Sequence, residues 1–257
     1  MNRDPIVNAK FSEEPGCAVA EFGHQPRPAI WRAWLLLALP PFLLAGLSVG
    51  YATLAVARAG GDRSVIGPAM GAAMPFLLIA NHVFLYLLLL RFMRRDGLSA
   101  RVIGWPGTTT SVQAVVREVV VGLLGGVLFY GIHVQVFGPL VRWIAGNAAS
   151  VRLASGSPPL GDNLALGMAV AVILGGFVEE QLYRGYVLVR LSERMSVATA
   201  AVPMLLFFGL LHFGLGWTGM LVAMLTGLNL TLLFLWRRSM VSVILAHSLI
   251  NLLVLAL

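Results

Sequence analysis

The sequence predicts an all-α fold, a polytopic transmembrane bundle of about seven helices. Three observations predict it. Of 257 residues, 58% are hydrophobic and only 11% are charged, less than half the charge of an average soluble domain. The mean hydropathy is +0.86. Charged residues also recur at intervals that leave apolar stretches long enough to cross about 30 Å of hydrocarbon at 1.5 Å per residue.

In chain order, residues 1–30 read as a disordered cytoplasmic tail and residues 31–257 as one transmembrane bundle. The tail mixes charge, Pro and Gly without periodicity and has nothing to bury. It holds the single cysteine, Cys17, and one thiol excludes an internal disulfide framework and a multi-thiolate metal site. The first apolar run starts near Trp31 and is too long for a signal-peptide core, so no cleavable leader is read.

Arg32 and Arg58, Arg63 and Arg91, and Glu118 and Arg142 each enclose one expected span. Ser155–Pro159 reads as an extracytoplasmic loop. A fourth apolar run follows Asp162 and carries charge in its second half. From Met195 to Trp236 no residue is charged. As one helix that stretch would reach roughly 63 Å, twice the bilayer thickness. It is expected to form two spans, broken near Gly214, Gly216 and Gly219. Met240 to Leu257 makes the seventh helix.

The net charge of +7 and pI of about 10.5 would suggest nucleic acid in a soluble chain. Here the basic residues fall between apolar runs, where they meet anionic headgroups, and no basic–aromatic surface is read. With the N-terminus cytoplasmic, that side receives the tail, Arg91 to Arg117, Arg184, Arg190, Arg194, Arg237 and Arg238. The other side keeps Arg58, Arg63, Arg142 and Arg152. Fourteen against four predicts a multi-pass protein of the plasma (inner) membrane, with its N-terminus in and its C-terminus out. Internal repeats are not evident, and the compact chain looks bacterial.

Ionisable residues inside spans are costly and mark functional sites. The fourth helix contains adjacent carboxylates, Glu179 and Glu180, which point about 100° apart and so serve different ends. Glu180 stands four residues before Arg184, the favourable order for an intrahelical ion pair. Glu179 has no such partner in its own helix, and a desolvated carboxylate can act as a general base. His212 follows Phe208 by four residues on the fifth helix. His247 and Asn251, also four apart, share one face of the seventh. Glu179 with His212 can activate a water, while His247 and Asn251 can donate to an oxyanion. His82 and His133 read as hydrogen-bonded packing residues, with Asn81 a faint sign of a polar lining.

The Glu179-Glu180-x-x-x-Arg184, Phe208-x-x-x-His212 and His247-x-x-x-Asn251 motifs resemble those of the CAAX-protease and bacteriocin-processing family of intramembrane endopeptidases. That group contains the Ras-converting prenyl-protein protease. The likeness covers roughly residues 163 to 257. It implies a conical intramembrane cavity open to the cytoplasm, in which Glu179 and His212 activate water and His247 and Asn251 form the oxyanion hole. Glu180, Arg184 and Phe208 would support them. Zinc is left open, with Glu179, His212 and His247 as its ligand set. The expected substrate is a lipid-anchored, prenylated or membrane-inserted peptide or protein. The rival readings are a non-proteolytic membrane scaffold or immunity protein that uses the site for binding, and a proton-coupled transporter.

Overall fold

The computed structural model describes residues 29–145 and 162–256. The tail with Cys17, the Ser155–Pro159 loop and Arg152 lie outside them. Among the described residues there are helices and turns but no strands. They form α1 (Trp31–Arg58), α2 (Ile66–Arg95), α3 (Val112–Ile132), α4 (Gly138–Ala145), α5 (Asp162–Glu180), α6 (Val189–Ser192), α7 (Val197–Leu211), α8 (Gly216–Arg237) and α9 (Met240–Ala256). A π-helical turn, His133–Phe137, joins α3 to α4, and a longer one, Gln181–Leu188, joins α5 to α6. Each pair is one continuous rod, so seven rods cross the bundle, as expected.

Five of the rods are long and apolar enough to cross a membrane; α7 and α9 are shorter. At 1.5 Å per residue the 15 residues of α7 cover only about 22 Å. The uncharged stretch does break where expected: α7 stops at Leu211, a turn of 3-10 helix spans Phe213–Leu215, and α8 starts at Gly216. Gly216 has φ +74, which a side chain would strain. Gly219 lies inside α8.

Prolines 40, 41 and 75 are buried within α1 and α2, a position membrane helices tolerate because neighbouring helices and local backbone adjustment satisfy the freed carbonyls. Ser111 and Ser196 cap α3 and α7 by accepting from the amides of Ala114 and Thr199. Two seams position the site. Along the first, Pro75 meets Gly167, His82 meets Gly175, and Tyr86 packs edge-on against Phe177. The order is the same on both helices, so α2 and α5 run parallel. Along the second, α3 lies on α9 through Gly122 and Gly126. At one end of the bundle Asp96 binds Arg32, accepts from the Tyr186 hydroxyl at 2.6 Å and lies 3.6 Å from Arg190. This ties the start of α1 to the end of α2 and to the α5–α6 rod.

Two expectations need correction. Arg184, counted above with a cytoplasmic loop, is fully buried, because its guanidinium is consumed by the ion pair and by α8. Glu118 is not a span edge but sits inside α3, where Arg237 holds it at 2.5 Å.

Candidate active site

The site begins where α5 changes register. Glu179 and Glu180 are the last α-helical residues before the wide turn Gln181–Leu188, and single wide turns of this kind gather at functional sites. The glycines before them let other helices come close. A Cβ on Gly175 would lie 3.3 Å from the His82 ring, and one on Gly176 would lie 2.6 Å from Ser248 Oγ.

The two carboxylates have different partners. Glu180 is fully buried and pairs with Arg184 at 2.9 Å; its Oε1 also lies 2.7 Å from His247 Nδ1. Arg184 donates further to the Gly227 carbonyl at 2.8 Å and to Thr231 Oγ1 at 3.3 Å, so its fork is spent on α5 and α8. Gly227 makes this possible, since a Cβ there would stand 3.1 Å from the guanidinium and 2.8 Å from Phe208.

Glu179 faces the other way. Its Oε1 lies 3.0 Å from His82 Nε2, and its Oε2 lies 4.0 Å from His247 Nε2. Oε2 is buried and makes no hydrogen bond to a described residue. The partner that its own helix lacks comes from α2. His82, read from the sequence as a packing residue, is the member of the site that sequence reasoning missed. His133 holds to its reading, buried and 3.3 Å from Thr226 Oγ1.

His212 is not inside the fifth helix but caps its C-terminus, with φ -95 and ψ 20. Its Nδ1 lies 2.9 Å from the Phe208 carbonyl. A carbonyl only accepts, so Nδ1 carries the proton and Nε2 of the neutral ring is left as an acceptor. Asn251 donates one amide N–H to the Val172 carbonyl at 3.2 Å, joining α9 to α5, and retains a second. Exposure rises from Glu180 at 0% to Glu179 at 8% and to the half-buried His212. The site therefore opens on the His212 side.

Residues 161–253 match the family described as type II CAAX prenyl endopeptidase Rce1-like. The match covers less than half of the chain, and that segment is similar to the Rce1-like family. It contains all three motifs, while His82 lies outside it. No curated protein and no solved structure matches the chain. At family level the match supports a membrane-embedded hydrolase of a protease family.

The structure brings Glu179, His82, His247, Glu180 and Arg184 into direct contact. Phe208 packs against His212 and His247, with ring centroids 5.3 and 5.8 Å apart. Among the described residues no group of three His, Cys, Asp or Glu side chains is placed to hold a metal ion. A groove of about 590 Å³ between α1 and α7 is lined by Trp34, Met195, Ala198, Thr199, Val202 and Pro203. No site residue lines it.

Proposed function

We propose that the protein hydrolyses a peptide bond near the C-terminus of a lipid-anchored or membrane-inserted peptide, with Glu179 as the general base. The observation that carries this reading is a buried carboxylate set between His82 and His247 in an apolar bundle, with one oxygen still able to accept. A water between Glu179 Oε2 and His212 Nε2 meets two acceptors. It gives one proton to Glu179 as its oxygen bonds to the scissile carbonyl carbon, and the carbonyl electron pair moves onto oxygen. When the tetrahedral species collapses, the proton held by Glu179 passes to the amine as the C–N bond breaks.

The oxyanion needs donors in place before it forms. Asn251 has its second amide N–H. His247 donates Nδ1–H to Glu180, so donation from Nε2 requires the imidazolium form, for which the Glu180 carboxylate supplies the countercharge. This division of labour supports a membrane enzyme over a scaffold, since hydrolysis uses both a buried carboxylate oxygen able to accept and amide and imidazole donors on α9. The lack of repeated halves speaks against a transporter.

The test uses purified protein in detergent with a quenched fluorescent farnesylated CAAX peptide, each arm run with and without a chelator. Wild type is expected to cleave. Glu179→Ala and His212→Ala are expected to lose at least about a hundredfold in rate while staying folded. Cleavage at the full rate by folded Glu179→Ala would sink the proposal. Loss of wild-type activity with chelator would show that the reaction needs a metal ion.

A further inference from the structure

His82 stands on α2, about eighty residues before the Rce1-like segment begins, and the chemistry above gives it no step. Yet it makes the shortest contact to the Glu179 carboxylate, 3.0 Å from Nε2 to Oε1, and it is only 3% exposed. We propose that His82 is the positioning residue of the catalytic base, gripping Glu179 Oε1 so that Oε2 alone is turned toward the attacking water. The inference rests on the reading of Glu179 as the base.

The tautomer follows from the partner. A carboxylate only accepts, so Nε2 carries the proton and donates it, and the carboxylate plane is fixed at one oxygen. A free Glu side chain would lose that restraint, because it rotates about its last torsion over a broad range. The grip is built into the parallel α2–α5 seam. One turn along α2, Tyr86 packs edge-on against Phe177 with centroids 5.5 Å apart, and one turn along α5 Gly175 leaves room for the His82 ring. Around Glu179 stand His82 from α2 and His247 from α9, with Glu180 on the far side of His247. Of these, His82 alone holds Glu179 by a direct hydrogen bond. His247 stays at 4.0 Å, free to turn its Nε2 toward substrate. A carboxylate misplaced by an ångström is a poor base even when its chemistry is unchanged. Side chains that orient a reacting group from behind typically carry factors of ten to a hundred.

The experiment compares full-length wild type, His82→Ala, His82→Gln and Glu179→Ala in detergent, measuring kcat and KM for the farnesylated peptide. Thermal midpoints verify folding. Gln places its amide nitrogen near the position of His Nε2 and keeps a donor without the ring. His82→Ala is expected to lose about tenfold to a hundredfold in kcat with KM within about twofold, and His82→Gln is expected to regain most of it. Infrared difference spectra read the contact without substrate. The Glu179 carboxylate stretch, identified by its loss in Glu179→Gln, should shift in His82→Ala and hold in His82→Gln.

Folded His82→Ala with wild-type kcat overturns the inference and leaves Glu179 as the base. Equal loss in both His82 variants with an unshifted band in His82→Gln also overturns it, since the grip would then be intact without consequence. Cleavage that survives Glu179→Ala overturns this inference and the function together.

Discussion

The ring of Phe208 has the Arg184 guanidinium 4.5 Å from its centroid on one side. Around it lie the rings of His212, Tyr183 and His247, at 5.3, 5.5 and 5.8 Å. One apolar side chain thus spaces a cation from two imidazoles, and the cation in turn neutralises Glu180. Removing the guanidinium should be costly. In Arg184→Ala, Glu180 keeps only His247 as partner, and breaking a buried pair from one side costs about 3–5 kcal/mol. The expected result is a fall in folded yield and in melting temperature, read by thermal scanning fluorimetry. Arg184→Lys should not restore either, because one ammonium cannot reach Glu180, Gly227 and Thr231 as the fork does. Unchanged yield and melting temperature in Arg184→Ala would remove the ion pair from the account of the fold. This pair was legible in the sequence because charge inside an apolar helix is conspicuous and because four-residue spacing is a local rule. His82 was not legible. Its partner lies 97 residues away, and a single histidine in an apolar run carries no sign of what it faces. Gly227 and Thr231 are neutral and small, so nothing in the chain flagged them as the seat of Arg184.

At the scale of elements, close approach of helices decides the geometry, and glycine decides the approach. In a lipid environment helices gain little from burying apolar area against one another, and small residues that bring backbones together take over. Gly122 on α3 illustrates this, since a Cβ there would lie 2.7 Å from the Ser242 carbonyl on α9. Gly131 on the same helix has nothing within 4 Å. Gly122→Ala is therefore expected to destabilise by about 1–3 kcal/mol, the usual cost of forcing atoms into a packed seam. Gly131→Ala should be neutral or stabilising by up to about 1 kcal/mol from helix propensity. Thermal unfolding of the two variants in the same detergent compares them directly, and equal midpoints would show that the seam yields at no cost. Because α9 carries His247 and Asn251, a Gly122→Ala protein that still folds should also cleave more slowly. The elements themselves were readable from where charges fall. The wide turn after Glu180 was not, because an inserted residue changes hydrogen-bond register without changing composition.

At the scale of the molecule, the orientation we propose rests on charge at the loops, and buried Arg184 alters that count. With Arg184 withdrawn into the core, the basic residues divide thirteen to four instead of fourteen to four, and the bias stands. It is carried by exposed groups: Arg91, Arg94, Arg95 and Arg101 all sit exposed near the α2–α3 connection. The α1–α2 turn has only Arg58 and Arg63, beside Asp62. The parallel seam between α2 and α5 demands that both helices run the same way across the membrane. The rods alternate in direction only if α3 with α4 makes a single crossing between them. If the two shorter helices α7 and α9 also cross, the described residues would begin and end on opposite faces, the arrangement we propose. A Cys17→Ser background makes this measurable with a membrane-impermeant maleimide. A cysteine at exposed Ala59, in the α1–α2 turn, is expected to label from outside intact cells. One at exposed Ser99 or Thr109, in the α2–α3 connection, should label only after the membrane is opened. The reverse pattern would invert the molecule and place the opening beside His212 toward the opposite compartment. Labelling of both from one side would break the single crossing of α2 and, with it, the α2–α5 seam that delivers His82 to Glu179.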